Sequence, residues 1–127
     1  MKKFLASAIK CYKEDEVLTV ALGDDAEDPD NFLIITRLDD EDNASVDDGI
    51  GLLTDQAKYE KSGVIAKVIL RLNKLEIVVK PEFTEFYGCS SIVAEFLPND
   101  NELSINYLSL KKALHHMFSG SQVDFIV

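Results

Sequence analysis

Apolar and polar positions in the first half of the chain alternate with the period of a strand. Glu16–Gly23 reads EVLTVALG, with Val17, Thr19 and Ala21 alternating against Leu18, Val20 and Leu22. Both faces of this segment are apolar, which predicts a strand inside a covered sheet. Phe4 to Tyr12 mixes apolar and polar positions and forms an earlier strand, with Lys13 to Asp15 as the turn between the two. Asp24–Asp30 holds Pro29 and five acids and reads as a loop, since proline also restricts its neighbour. A third strand follows over Asn31–Leu38 (NFLIITRL), then a polar stretch ending in Gly49 and Gly51, a glycine pair that marks a turn or bulge.

The second half carries the clearest pattern. Gly51 to Tyr59 predicts a short strand, and GVIAKVILRLNKLEIVVK predicts a hairpin, Val64–Leu72 and Leu75–Lys80, turning at Asn73 and Lys74. Pro81 ends it, and EFTEFYG reads as one helical turn or an irregular cover before the strand Ser91–Leu97 stops at Pro98. Leu103, Tyr107, Leu110, Leu114, Met117 and Phe118 then recur every three or four residues, with Lys111, Lys112 and His115 off the stripe. That is an amphipathic helix, with Asp100 or Asn101 as N-cap and Gly120 as its stop. QVDFIV closes the chain as a short strand. These elements predict a single α+β domain over residues 1–127: a mainly antiparallel sheet of five to seven strands with one C-terminal helix packed on it.

Charge changes this picture more than composition does. The apolar fraction of 46% and charged fraction of 28% are those of an ordinary globular chain, but the net charge is −10. Residues 24–48 hold eleven carboxylates against the single cation Arg37, and the rest of the chain balances twelve acids with twelve bases. The imbalance therefore predicts one acidic flank, which repels nucleic acid and anionic lipid and attracts cationic protein surfaces. Cys11 and Cys89 have no metal-binding spacing, and the N-terminal apolar run breaks at Lys10, short of a signal peptide; both features predict a cytoplasmic home.

Candidate chemistry is sparse. Starting at Asp39, a calcium-loop template puts Ala44 where glycine is required and Ile50 where glutamate is required. His115 and His116 are adjacent, so on a helix they diverge and cannot share a metal. Cys89 lies in a GCSS turn whose final glycine position is taken by Ile92, and no glycine-rich phosphate cradle occurs. No catalytic, cofactor-binding or metal-binding residues are expected. Phe83, Phe86 and Tyr87 fall between two strands without alternation, either as core or as an exposed anchor for a partner.

The order LIITR, acidic stretch, glycine pair, SGVIAKVILRLNKLEIVV and LKKALHHMFSG resembles immunity-protein family ten of bacterial polymorphic toxin systems over roughly residues 12 to 120. The resemblance rests on Ile35, Thr36 and Arg37, on Asp48 and Gly49, on Ser62 and Gly63, and on the spacing of Leu114 and Phe118. It implies a non-catalytic inhibitor that binds a cognate toxin domain, with nucleases among the toxins such proteins neutralise. Arg37 would then orient an acidic loop whose Asp39, Asp40, Glu41, Asp42, Asp47 and Asp48 contact the toxin's basic surface. Two other readings stay open: a structural or regulatory module for a different basic protein, with homodimerisation through a hairpin edge, and a small hydrolase using Cys89 or the acidic cluster.

Overall fold

Glu14 and Val17 face each other across the first turn, so only Asp15 and Glu16 connect the first hairpin, one step later than the sequence pattern places the turn. A computed structural model describes residues 1–96 and 101–127, with the backbone alone for 101–106. Ten strands form among the described residues: β1 (Lys2–Leu5), β2 (Ala8–Glu14), β3 (Val17–Gly23), β4 (Phe32–Leu38), β5 (Ile50–Thr54), β6 (Lys61–Ser62), β7 (Ile65–Arg71), β8 (Lys74–Val79), β9 (Ser91–Glu95) and β10 (Asp124–Ile126). A one-turn helix α1 (Thr84–Tyr87) follows a 3-10 turn at Pro81–Phe83, and α2 spans Asn101–Phe118. The α2 stop at Gly120 is left-handed, with φ +77. The expected N-cap, Asp100 or the Asn101 side chain, lies outside the described residues, as do Leu97, Pro98 and the Leu103 side chain.

The expected single sheet is in fact two. An antiparallel sheet has the order β2-β3-β4-β5-β6, and a second sheet the order β1-β9-β8-β7-β10. The second is mixed, because β1 pairs parallel with β9 and β10 parallel with β7. The α+β class holds and most pairings are antiparallel, but ten strands replace the expected five to seven, and the two edges of the second sheet pair in parallel. Parallel neighbours need a long crossover. Here α2 carries the chain from β9 over to the far edge beyond β7, and β1 meets β9 across most of the chain. Local alternation carries no trace of such pairings.

The chain changes sheet within one residue of Ala6: its amide donates to the Glu95 carbonyl (2.8 Å), while the Ser7 amide donates to Gly23 of the other sheet (2.9 Å). Between the sheets, Val20, Leu22, Leu33, Ile35 and Leu52 meet Phe4, Val68, Leu70, Leu75, Ile77 and Ile92, all buried. Helix α2 joins this core through Leu110, Leu114, Met117 and Phe118 and approaches β2 and β3 most closely. One face of the antiparallel sheet is thus covered, by the mixed sheet and by the helix. No helix or sheet among the described residues packs on its other face, yet no β3 residue is exposed there. Pro29 closes over Gly23, Glu60 lies across Gly51, and Thr19 is 7% exposed. EVLTVALG is thus covered by a sheet on one side and by loop side chains on the other.

Polar contacts pin the two sheets. The buried Tyr87 hydroxyl donates to the Leu52 carbonyl (2.7 Å), and burial pushes its pKa up to about 12 against the Lys61 amide, with Glu60 adding to the rise. Lys2 on β1 pairs with Asp55 after β5, and Asp55 also accepts from the Phe32 amide (3.0 Å) and from Gln56 (3.1 Å). Burial opposes the charge on Asp55, but the Lys2 bond, the other two donors and the Lys2 charge together hold its carboxyl below the usual range.

Two outcomes follow from this packing. Because the folded pKa of Asp55 is depressed, its stabilisation is complete above the unfolded value of ~3.9 and is lost as pH falls through the folded value. Asp55→Asn should therefore lower stability by about 1–2 kcal/mol near neutral pH and flatten the acid limb of urea-denaturation midpoints. Asp15 (φ 51) and Glu16 (φ 69) occupy the left-handed region without being glycine. Glu16→Gly should raise stability by about 0.5–1 kcal/mol in the same assay, the relief of left-handed strain exceeding the added freedom of the unfolded chain.

Candidate functional site

β4 delivers Arg37 to the covered side of the antiparallel sheet, opposite Leu18 and Ile50. Its Nη1 donates to the carbonyls of His116 (2.9 Å), Met117 (3.0 Å) and Ser119 (2.7 Å), and its Nε to Asp39 (3.0 Å). The guanidinium therefore satisfies carbonyls that α2 leaves without partners at its C-terminus, where the helix dipole also favours a cation. With a side chain only 13% exposed, Arg37 is committed to the fold, while its bond to Asp39 fixes the first residue of the acidic loop.

From there the loop folds on its own side chains. Asp40 accepts from the Asp42 amide (3.0 Å), and Asn43 Nδ2 donates to the Leu38 carbonyl (3.0 Å). Asp47, in a 3-10 turn over Val46–Gly49, accepts from the Gln122 amide (3.0 Å) beyond α2. A Cβ on Gly49 would collide with the Leu38 carbonyl, and one on Gly51 would lie 2.6 Å from Glu60 Oε1. The glycine pair thus permits two close approaches, the second of which lets Glu60 lie across β5 and bond the Thr36 hydroxyl.

The six candidate carboxylates consequently separate. Asp39 and Asp47 are tied toward the end of α2. Glu41, Asp42 and Asp48 accept no hydrogen bond and join no ion pair among the described residues. Asp40 and Asp48, with Glu60, line a hollow of about 350 Å³ on the outer face of the antiparallel sheet, beside Val17, Thr36 and Leu38.

The other five acids of the segment lie at the opposite end of β4. Asp24 organises their loop: Oδ1 accepts from the Asp30 (3.0 Å) and Asn31 (3.3 Å) amides, and Oδ2 from Asn31 Nδ2 (2.9 Å). The Asn31 side chain, aided by those amides, holds the Asp24 carboxyl below its ordinary value. Asp25, Ala26 and Pro29 lean over the same outer face, where with Ala8, Ala21, Phe32 and Ile34 they frame a largely apolar hollow of about 180 Å³. The seven residues of β4 separate the two loops by about 20 Å, so the charge gathers in two clusters rather than on a single flank, with Asp25 beside one hollow of this face and Asp40, Asp48 and Glu60 beside the other.

The remaining candidates behave as structure. Tyr87 is fully buried, and Phe83 and Phe86 pack on the core beneath the Lys61 ammonium, which lies 4.4 Å from the Phe86 ring centre. Burial pushes the Cys11 thiol up, and Cys89 rests against the Tyr87 carbonyl. His115 packs edge-on against Phe125. Neither hollow is lined by cysteine or histidine. Among the described residues, no three His, Cys, Asp or Glu side chains converge as a metal would need, and no helix is long and apolar enough to cross a membrane.

Sequence reasoning missed Glu60 and Gln122, which reach the site only through tertiary pairing; the glycine at position 51 was the one local sign that something lies across β5. The chain matches no known protein-family model and no curated protein.

Arg37→Met keeps the stem but removes the donors. It should lower stability by about 2 kcal/mol in urea denaturation and speed amide exchange in the last turn of α2.

Proposed function

We propose that this chain is a non-catalytic binding protein of the cytoplasm that neutralises a cationic toxin domain, as the resemblance to the immunity family implies. The observation that carries the reading is the set of carboxylates with no partner among the described residues, Glu41, Asp42 and Asp48, held on a loop whose ends are anchored by Arg37 and Asp47. Unpaired like charges repel, so keeping them close is costly unless a cationic surface relieves the repulsion. A toxin that handles nucleic acid must display Lys and Arg for phosphate, and an acidic loop can occupy that groove. Complementary fields then speed encounter, while apolar contacts slow release.

Co-expression with toxin domains, a product of a neighbouring reading frame first among them, should restore growth of cells that the cognate toxin arrests. Replacing Asp40, Glu41, Asp42 and Asp48 with Asn or Gln removes four charges without touching Arg37 or Asp47. At low salt the variant should associate with that toxin roughly tenfold more slowly and with a flatter salt dependence, at unchanged melting temperature. Association rates equal to the parent's would dismiss the acidic loop as the contact surface.

A further inference from the structure

The two sheets treat solvent differently. On the outer face of the mixed sheet, Lys3, Lys67, Arg71, Lys74, Glu76 and Glu95 intersperse charge among Val78, Ile69 and Val93, following the register of the strand pairs. The outer face of the antiparallel sheet carries Val17, Thr19 and Ala21 on β3, Phe32, Ile34, Thr36 and Leu38 on β4, and Gly51 and Leu53 on β5. No ionisable group of these three strands points that way. Among the strands, charge reaches this face from the edge strand β2, as Lys10 and Glu14, and the surrounding loops add Asp25, Asp40, Asp48 and Glu60. A sheet face left to water normally alternates polar residues outward. Here the central strands offer only Thr19 and Thr36 as polar side chains, Thr19 being 7% exposed, while Leu38 at the end of β4 is 40% exposed and Tyr12 on the edge strand β2 46%.

We infer that this outer face is the docking surface, and that its occupant is a basic protein segment bearing one apolar side chain and, about four extended residues away, a Lys or Arg. The inference rests on the binding reading above and adds where the partner sits and what it presents. Two features select this occupant. The apolar hollow by Ala21, Phe32, Ile34 and Pro29, about 180 Å³, compares with the ~150 Å³ cavity that admits a benzene ring. The hollow at the other end is walled by Asp40, Asp48 and Glu60. Ile34 and Leu38, one beside each, are separated by about 13 Å along the strand. A second copy of this chain is disfavoured, because stacking two such faces opposes acidic clusters to acidic clusters.

The test uses the full-length chain labelled with 15N and three synthetic peptides: acetyl-KLTVTRK-amide, the same peptide with serine for leucine, and a charge-reversed acetyl-ELTVTEE-amide. The first should shift the amides of Ala21, Ile34, Gly49 and Leu53. The serine peptide should bind roughly fivefold more weakly, and the acidic one not at all. Ile34→Thr, which keeps a β-branched residue on the strand, should weaken the first peptide roughly fivefold. Leu72→Ser, in the β7–β8 turn, should not change it.

Shifts that cluster on another surface would overturn the docking face while leaving affinity for basic segments intact. Failure of both basic peptides to bind would remove the docking face and the cation-binding reading together. Concentration-dependent self-association abolished by Ile34→Thr would put a second copy on this face instead.

Discussion

The bond between Arg37 and the end of α2 is the constraint on which the rest of the structure depends. A guanidinium that is mostly withdrawn from water must find acceptors, and a helix C-terminus must find donors. Each need is met by the other, with Asp39 compensating the charge. The bond joins the antiparallel sheet to an element that begins after β9 and ends before β10, and so sets where α2 lies against that sheet. Since Asp39 follows Arg37 by two residues, the same contact sets the direction in which the acidic loop leaves β4.

The distribution of carboxylates follows from that direction. Asp39 and Asp47 turn back toward α2 and hold the loop, leaving Glu41, Asp42 and Asp48 free of partners among the described residues. At the other end of β4, Asp24 performs the holding role for its own loop by gathering the amides of Asp30 and Asn31. A few acids in each loop serve as internal acceptors, and the rest project charge. An acidic run read only as charge would assign all of them the same role.

The apolar floor between the two clusters gives the charge a place to act. Long-range attraction sets how quickly a cationic partner arrives, but residence depends on contacts that exclude water. An acidic loop beside a charged sheet face would offer the first property without the second. On the proposed reading the antiparallel sheet would offer both on one side, while its other side is committed to the core. The buried pins at Tyr87 and at Lys2–Asp55 keep that division by holding the sheets together away from the outer face.

The sequence alone determined whatever depends on neighbouring residues. Alternation located the Val64–Lys80 hairpin to within a residue or two, but it read Phe4–Tyr12 as one strand where the chain forms β1 and β2 in different sheets, and it carried the strand after Gly51 to Tyr59 where β5 stops at Thr54. Periodicity located α2 and its stop at Gly120, and counting charges located the acidic segment. A strand or helix pattern is a local property, written within a few residues of the place it acts. Only the tertiary structure decided which strands pair in parallel, that the sheets are two, and that one face of EVLTVALG meets loop side chains rather than a second layer. It also decided that Arg37 serves the end of α2, 79 positions away for its first carbonyl, and that the acids divide into two clusters, with Asp39 and Asp47 turned back toward the helix. Those outcomes rest on contacts between distant residues, which buried surface and unsatisfied backbone groups select together and which no short stretch of sequence encodes.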